Sequence, residues 1–198
     1  MLYPLLFRPI LKPRIWGGEK LHKVFGKITT EENNKIGESW ELSGLEDSDS
    51  VVINGFLSGN TITELIEIYM DELVGQKVFD TFGTYFPLLF KFIDANDKLS
   101  IQVHPCDDIA QERHDVLGKT EMWYIIDAEP EAELVLGLNK KMDANLLKES
   151  IQSYTLEQHL QKVPVKKGDC FFIPAGLIHA IGKGILLAEI QQSSDITY

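Results

Sequence analysis

The sequence predicts a mostly β fold, an antiparallel sandwich or barrel carrying short helical insertions. Three observations lead there. Many short β-favouring runs are separated by Gly, Pro and Asx turns. Extended helical patterning is confined to two insertions, near residues 61–80 and 143–160. No strand–helix–strand regularity appears, which argues against a doubly wound parallel sheet.

Each element follows from its local pattern. Residues 1–60 are irregular and glycine-rich, with short strand signals at 39–43 and 51–53. Ile62, Leu65, Ile66 and Tyr69 recur at helical spacing, and Thr61 with Glu64 forms a capping-box pattern at the start. A second short helix is expected over 72–78. Residues 88–95 are an apolar run bounded by Pro87 and by the turn Asn96-Asp97-Lys98, and read as a strand. The run 99–104 alternates strictly, with Leu99, Ile101 and Val103 on one face and Ser100, Gln102 and His104 on the other. It is expected to be a strand ended by Pro105. Residues 107–114 read as a helix with Asp107 and Asp108 at its favourable end. Strands are expected at 122–126, 132–136, 163–165, 170–173 and 185–191, with helices at 143–151 and 155–160. All 198 residues are expected to form one domain.

The balance of the chain excludes several function classes. Apolar residues are 44% of it, enough for a real core. The net charge of −11 argues against a general nucleic-acid binder and a polybasic membrane anchor. An anionic substrate would need a local group of cations such as Lys98 and Lys119. No apolar run reaches the ~18 residues of a membrane helix. Pro4 interrupts the short apolar N-terminus, which lacks a basic region and does not read as a signal peptide. Two cysteines cannot make a disulfide framework, so a reducing cytoplasm is expected. Cys170, in an apolar run, reads as core; neither it nor Cys106 has an activating base nearby in sequence. His22, His114 and His159 read as surface residues.

Chemistry concentrates in three segments. Ser100, Gln102 and His104 share the polar face of their run, Lys119-Thr120-Glu121 precedes an apolar strand, and His179 follows Pro174-Ala175-Gly176. The turn Lys166-Lys167-Gly168-Asp169, a β-run, and then Pro-Ala-Gly and a histidine resemble a cupin-type jelly roll, whose corner turns the histidine inward. Two histidines and a glutamate, with Gln102 as a candidate fourth ligand, suit Zn²⁺ in an open site. The same donors also suit Fe²⁺, Mn²⁺ or Ni²⁺.

The segments 100–105, 119–124, 174–180 and 189–198, with Arg14-Ile15-Trp16-Gly17-Gly18 and Gly37-Glu38-Ser39-Trp40-Glu41, resemble the type I mannose-6-phosphate isomerases. The resemblance runs through the whole chain, in order. It implies a cupin-like jelly-roll β-sandwich and a zinc-dependent aldose–ketose isomerase, one Zn²⁺ per chain. The reaction would interconvert mannose 6-phosphate and fructose 6-phosphate through an enediol. The implied metal ligands are Gln102, His104, Glu121 and His179. Lys119 and Glu189 would line the sugar pocket and serve catalysis, Ser100 would sit near the phosphate, and Trp16 and Glu41 would wall or order the pocket. Which group is the base stays open among Glu189, Lys119, His104 and a metal-bound water. The family pattern continues past Tyr198 into an arginine and a C-terminal β-domain, so the resemblance covers the N-terminal two-thirds of a typical member. The competing reading is a catalytically silent module that binds metal or sugar phosphate.

Overall fold

The computed structural model describes residues 2–28 and 35–198. In chain order the elements are β1 (Ile10–Gly18), α1 (Lys20–Phe25), β2 (Ile36–Leu42), β3 (Gly44–Leu45), β4 (Ser48–Asp49), α2 (Ile62–Tyr69), α3 (Asp71–Val74), α4 (Gln76–Phe82) and β5 (Leu88–Ala95). They continue with α5 (Asp107–His114), β6 (Glu121–Ala128), β7 (Glu133–Leu138), α6 (Ala144–Gln152), β8 (Leu160–Pro164), β9 (Cys170–Ile173), β10 (His179–Ile181) and β11 (Ile185–Gln192).

Six strands make one antiparallel sheet in the order β1-β2-β5-β11-β6-β9, and β10-β7-β8 make a second. The core lies between them. Ile93, Trp123, Ile125, Ile173 and Leu187 from the large sheet pack with Leu134 and Ile181 from the small one. A second cluster forms where α1 covers the outer face, bringing Leu21 onto Ile36 and Leu186. Helices α2 and α3 pack on the N-terminal segment through Leu65, Tyr69 and Leu73 against Leu2, Tyr3, Leu5 and Phe7.

Much of the expected pattern is present. The strands at 88–95 and 170–173 and the helix at 107–114 have the predicted ends. Thr61 and Glu64 form the full reciprocal capping box. The differences have physical reasons. The expected helix at 72–78 is two helices, α3 and α4, separated at Gly75, whose φ of +86° is the left-handed region that a helix cannot continue through. Residues 51–53 make isolated bridges to Phe7 and Thr61 rather than a ladder. Residues 99–104 are not a ladder strand either. Their backbone bonds go to different neighbours: Leu99 N–H to Ile181 O, Gln102 exchanging both bonds with His179, and Val103 exchanging both with Tyr198. Cys170 is exposed, not core. It lies on the edge strand β9, whose alternation sends Phe171 and Ile173 inward and Cys170 and Phe172 outward. Five elements carry no clear sequence signal: β1, interrupted by Pro13 and two glycines but tolerated at a sheet edge, the short α1, the two-residue β3 and β4, and the three-residue β10.

Candidate metal centre and adjoining cavity

The inner face of the large sheet sets out one row of side chains across five strands. Trp40, Lys91, Glu189, Trp123 and Phe171 are successive cross-strand partners on β2, β5, β11, β6 and β9. Neighbours in such a row have Cβ atoms about 5 Å apart, so polar members meet directly. Lys91 Nζ lies 3.1 Å from Glu189 Oε1, and Trp123 Nε1 donates to Glu189 Oε2 at 2.8 Å. Burial opposes the charge on Glu189. Lys91 and Lys119, with hydrogen bonds from Trp123 and Lys91, outweigh it and hold the carboxyl below the usual range.

The next row holds Gln191 and Glu121, on β11 and β6. His179 reaches Glu121 from β10, and His104 reaches it from the 99–104 segment. Glu121 Oε1 is 3.3 Å from His179 Nε2, and Glu121 Oε2 is 3.6 Å from His104 Nε2. All three residues are buried. Lys119 joins them, with Nζ 2.7 Å from Glu121 Oε2 and 3.0 Å from His104 Nε2. Gly118 permits this approach, because a Cβ there would meet Asp107 N at 2.6 Å and the Cys106 carbonyl carbon at 2.7 Å. Burial disfavours the Lys119 ammonium, but the charges of Glu189 and Glu121 prevail and raise its pKa.

The outer ring nitrogens decide what this cluster can hold. His104 Nδ1 is 2.9 Å from the Ile196 carbonyl, and His179 Nδ1 is 2.8 Å from the Leu177 carbonyl. A carbonyl only accepts, so each Nδ1 carries the proton and each Nε2 presents a lone pair. Burial, reinforced for His104 by the Lys119 charge, lowers both imidazoles, His104 to about 3, so neither carries a second proton. Two acceptors therefore face each other across 3.3 Å, and both His179 Nε2 and Glu121 Oε1 lack a hydrogen-bond partner. A buried polar atom left in that state costs about 1–3 kcal/mol. A divalent cation answers both atoms at once. His104, Glu121 and His179 each offer one ligand atom, all within 4.8 Å of one another. The donor set of two neutral imidazoles and a carboxylate is that of an open zinc-type site, and both Nδ1–H bonds to carbonyls are the outer support such ligands require.

Beside the cluster is a cavity of about 250 Å³, lined by Arg14, Trp16, Glu38, Trp40, Lys91 and Glu189 on the large-sheet side. Ile93, Leu99, Ser100, Gln102, Lys119, Ile181, Asp195 and Thr197 complete it. Of the residues expected from sequence, Trp16, Ser100, Gln102, Lys119 and Glu189 all line this cavity, while His104, Glu121 and His179 form the cluster at its wall. Gln102 is bridged to His179 through its backbone. Glu41 is not brought to the cavity. It shares the opposite face of β2 with Ser39 and pairs with Lys27 at 2.8 Å, whereas Glu38 and Trp40 face inward. Lys98 also points elsewhere, toward Glu157 at 3.8 Å. Sequence reasoning missed Arg14, Glu38, Lys91, Asp195 and Thr197. Lys91 did leave a signal, a lone charge inside the apolar run Leu-Leu-Phe-Lys-Phe-Ile.

The model for the phosphomannose isomerase type I catalytic domain matches residues 5–140. The chain belongs to the type I phosphomannose isomerase family. Mannose-6-phosphate isomerase ManA of Bacillus subtilis (strain 168) is 44% identical over 98% of this chain and 59% of its own length. The mannose-6-phosphate isomerase of Streptococcus mutans is 42% identical over the whole chain and 60% of its own length. The crystal structure of the mannose 6-phosphate isomerase from Bacillus subtilis matches with a TM-score of 0.88 at 38% identity, covering 98% of this chain and 60% of that one. The cupin-like jelly-roll sandwich is thus the fold of this phosphomannose isomerase relative. The chain spans about 60% of the length of the relatives it matches. Among the described residues, no helix is long and apolar enough to cross a membrane.

Proposed function

We propose that this chain is the metal-dependent catalytic portion of an aldose–ketose isomerase, converting mannose 6-phosphate to fructose 6-phosphate and back through an enediol. One observation carries the reading. Two acceptors, His179 Nε2 and Glu121 Oε1, are buried without partners beside a polar cavity lined by Lys119 and Glu189. Family membership supplies the substrate class. His104, Glu121 and His179 would hold one Zn²⁺, with the Gln102 side chain as fourth ligand. The working compartment in this reading is the cytoplasm.

When bound, the cation polarises the substrate carbonyl and stabilises negative charge developing on oxygen. The chain's own groups do the rest. Trp16, Trp40, Ile93, Leu99 and Ile181 wall the cavity and exclude water from the open-chain sugar. The two catalytic groups are held in opposite protonation states. Lys91 and Trp123 keep Glu189 ionised, so its carboxylate accepts the proton that leaves carbon. Glu121 and Glu189 keep Lys119 protonated, so its Nζ donates toward the substrate oxygens.

The test is a coupled assay of mannose 6-phosphate isomerisation on the 198-residue chain, with added Zn²⁺ and after chelation, in deuterated water. Zinc-dependent turnover with solvent deuterium entering C1 of the fructose 6-phosphate product is expected. Turnover with no label entering would contradict the enediol route. One bound zinc with no turnover would favour the silent-module reading.

A further inference from the structure

We propose that Arg14 is the anion anchor of the cavity, gripping the substrate phosphate at the end away from the metal cluster. This rests on the sugar-phosphate reading above and deepens it. A 6-phosphate lies at the opposite end of the sugar from C1 and C2. The anchor must therefore be a cation near the cavity's opening, not one beside the reacting carbons.

Three cations line the cavity, and two are buried beside the metal cluster and Glu189, where the reading above places the reacting carbons. Lys119 is bound to Glu121 and His104, and its side chain is 7% exposed. Lys91 is bound to Glu189 and is 11% exposed. Arg14 is the one with ready solvent access, its side chain 40% exposed. Among the described residues its one polar contact is Nε to Glu38 Oε1 at 2.9 Å. The terminal Nη fork remains available. A guanidinium held by Nε presents two parallel N–H donors, the geometry that takes two oxygens of one phosphate.

The placement is built into the fold. The β1–β2 register breaks on both sides of Pro13, so residues 14–17 leave the ladder as a bulge. Bulges re-aim side chains. Here Arg14 and Trp16 line the cavity while Ile15 between them stands fully in solvent. Gly37 makes the seat. A Cβ on Gly37 would come within 2.5 Å of Arg14 Cβ, 2.6 Å of Arg14 Cγ and 2.8 Å of the Trp16 ring. The aliphatic stem of Arg14 thus lies in a gap that only glycine leaves open. Glu38 is itself fixed, accepting from Trp40 Nε1 at 2.6 Å. Ser100, an exposed hydroxyl residue, lines the same cavity.

The experiment measures calorimetric binding of glucitol 6-phosphate, a non-reacting analogue, and of unphosphorylated glucitol to the zinc-loaded chain. It compares wild type, Arg14→Gln and Arg14→Lys. Loss of a charge-assisted contact should weaken glucitol 6-phosphate by about 10- to 100-fold in Arg14→Gln, with partial recovery in Arg14→Lys. Glucitol binding, zinc content and melting temperature should not move. In turnover, KM should rise while kcat stays within about threefold. Wild-type preference for the phosphorylated analogue, retained in full by Arg14→Gln, would overturn Arg14 as the anchor and leave the sugar-phosphate reading standing. A loss of zinc or of thermal stability equal to the loss of binding would make Arg14 a structural residue and also overturn it. Equal binding of both analogues by wild type would instead defeat the sugar-phosphate reading, and this proposal with it.

Discussion

Glu121 sits between two imidazole nitrogens that have no proton to offer it. Lys119 satisfies one of its oxygens and leaves the other facing His179 Nε2 at 3.3 Å. Burial and the Glu189 charge push the Glu121 carboxyl upward, to about 7, which a cation between the two imidazoles would reverse. With Glu121 ionised the cluster is therefore unfavourable, and a proton or a cation between Oε1 and His179 Nε2 relieves it. A cation that binds only the folded chain stabilises it by about 2.7 kcal/mol at a hundredfold excess over Kd. For a domain of this size that is about 5–10 °C in melting temperature. Chelation should lower wild-type melting by that amount, and His179→Ala should lose both the bound zinc and the response to chelator. His179→Ala with full zinc stoichiometry would remove His179 from the ligand set. This site was largely legible in the sequence, because His104, Glu121 and His179 each sit in a short motif with its own turn or strand signal. Lys91 and Glu38 were not, since their roles come from cross-strand register, and one residue's shift in that register exchanges inside for outside. Glu41 shows the same effect from the other side, facing Lys27 while Glu38, three residues earlier, faces the cavity.

At the scale of elements, the strands with a long uniform pattern were readable and the irregular ones were not. β5 and β9 follow from apolar runs with clear stops. β1 hides behind Pro13, Gly17 and Gly18, and the polar–apolar alternation of 99–104 belongs to a segment that joins no ladder. These irregular pieces deliver Arg14, Trp16, Gln102 and His104 to the site. Helix α1, also unsignalled, depends on a distant residue: the buried Asp94 of β5 accepts the Lys20 N–H at 2.7 Å. Burial raises the Asp94 carboxyl above its ordinary value, and the Lys20 and Leu21 backbone donors and the Lys20 charge offset this only in part. The sign then follows. The folded chain holds the Asp94 proton more tightly than the unfolded chain does, so this group's contribution is most favourable below the unfolded pKa and is lost as pH rises through the folded one. Asp94→Asn keeps an acceptor for the helix end and removes the titration. Its stability relative to wild type should improve between about pH 4 and about pH 7, the range above the ordinary aspartate value. Denaturant melts at the two pH values measure this, and a relative loss on going up in pH would contradict it.

For the whole molecule, the net charge of −11 repels an anionic substrate, while the cavity, where Arg14, Lys91 and Lys119 face Glu38, Glu189 and Asp195, attracts it only at contact, through Arg14. The two effects differ in range. The net charge acts at a distance, where about 30 Å of Debye length at 0.01 M salt lets it repel a sugar phosphate, and about 10 Å at 0.1 M largely removes it. Arg14 acts at contact, within a half-buried ion pair with Glu38 that salt screens far less. Electrostatic steering ordinarily makes association fall as salt rises. Here the distant field opposes association, so the association rate of glucitol 6-phosphate, followed by stopped flow, should rise between about 0.01 and about 0.1 M potassium chloride. The dissociation rate should change less, because it reports the contact and not the approach. The neutral analogue glucitol controls for salt effects on the cavity itself and should show no such rise. A monotonic fall in association rate from the lowest salt would mean that the local cations dominate the field out to the approach distance. The acidity of the chain would then be irrelevant to capture.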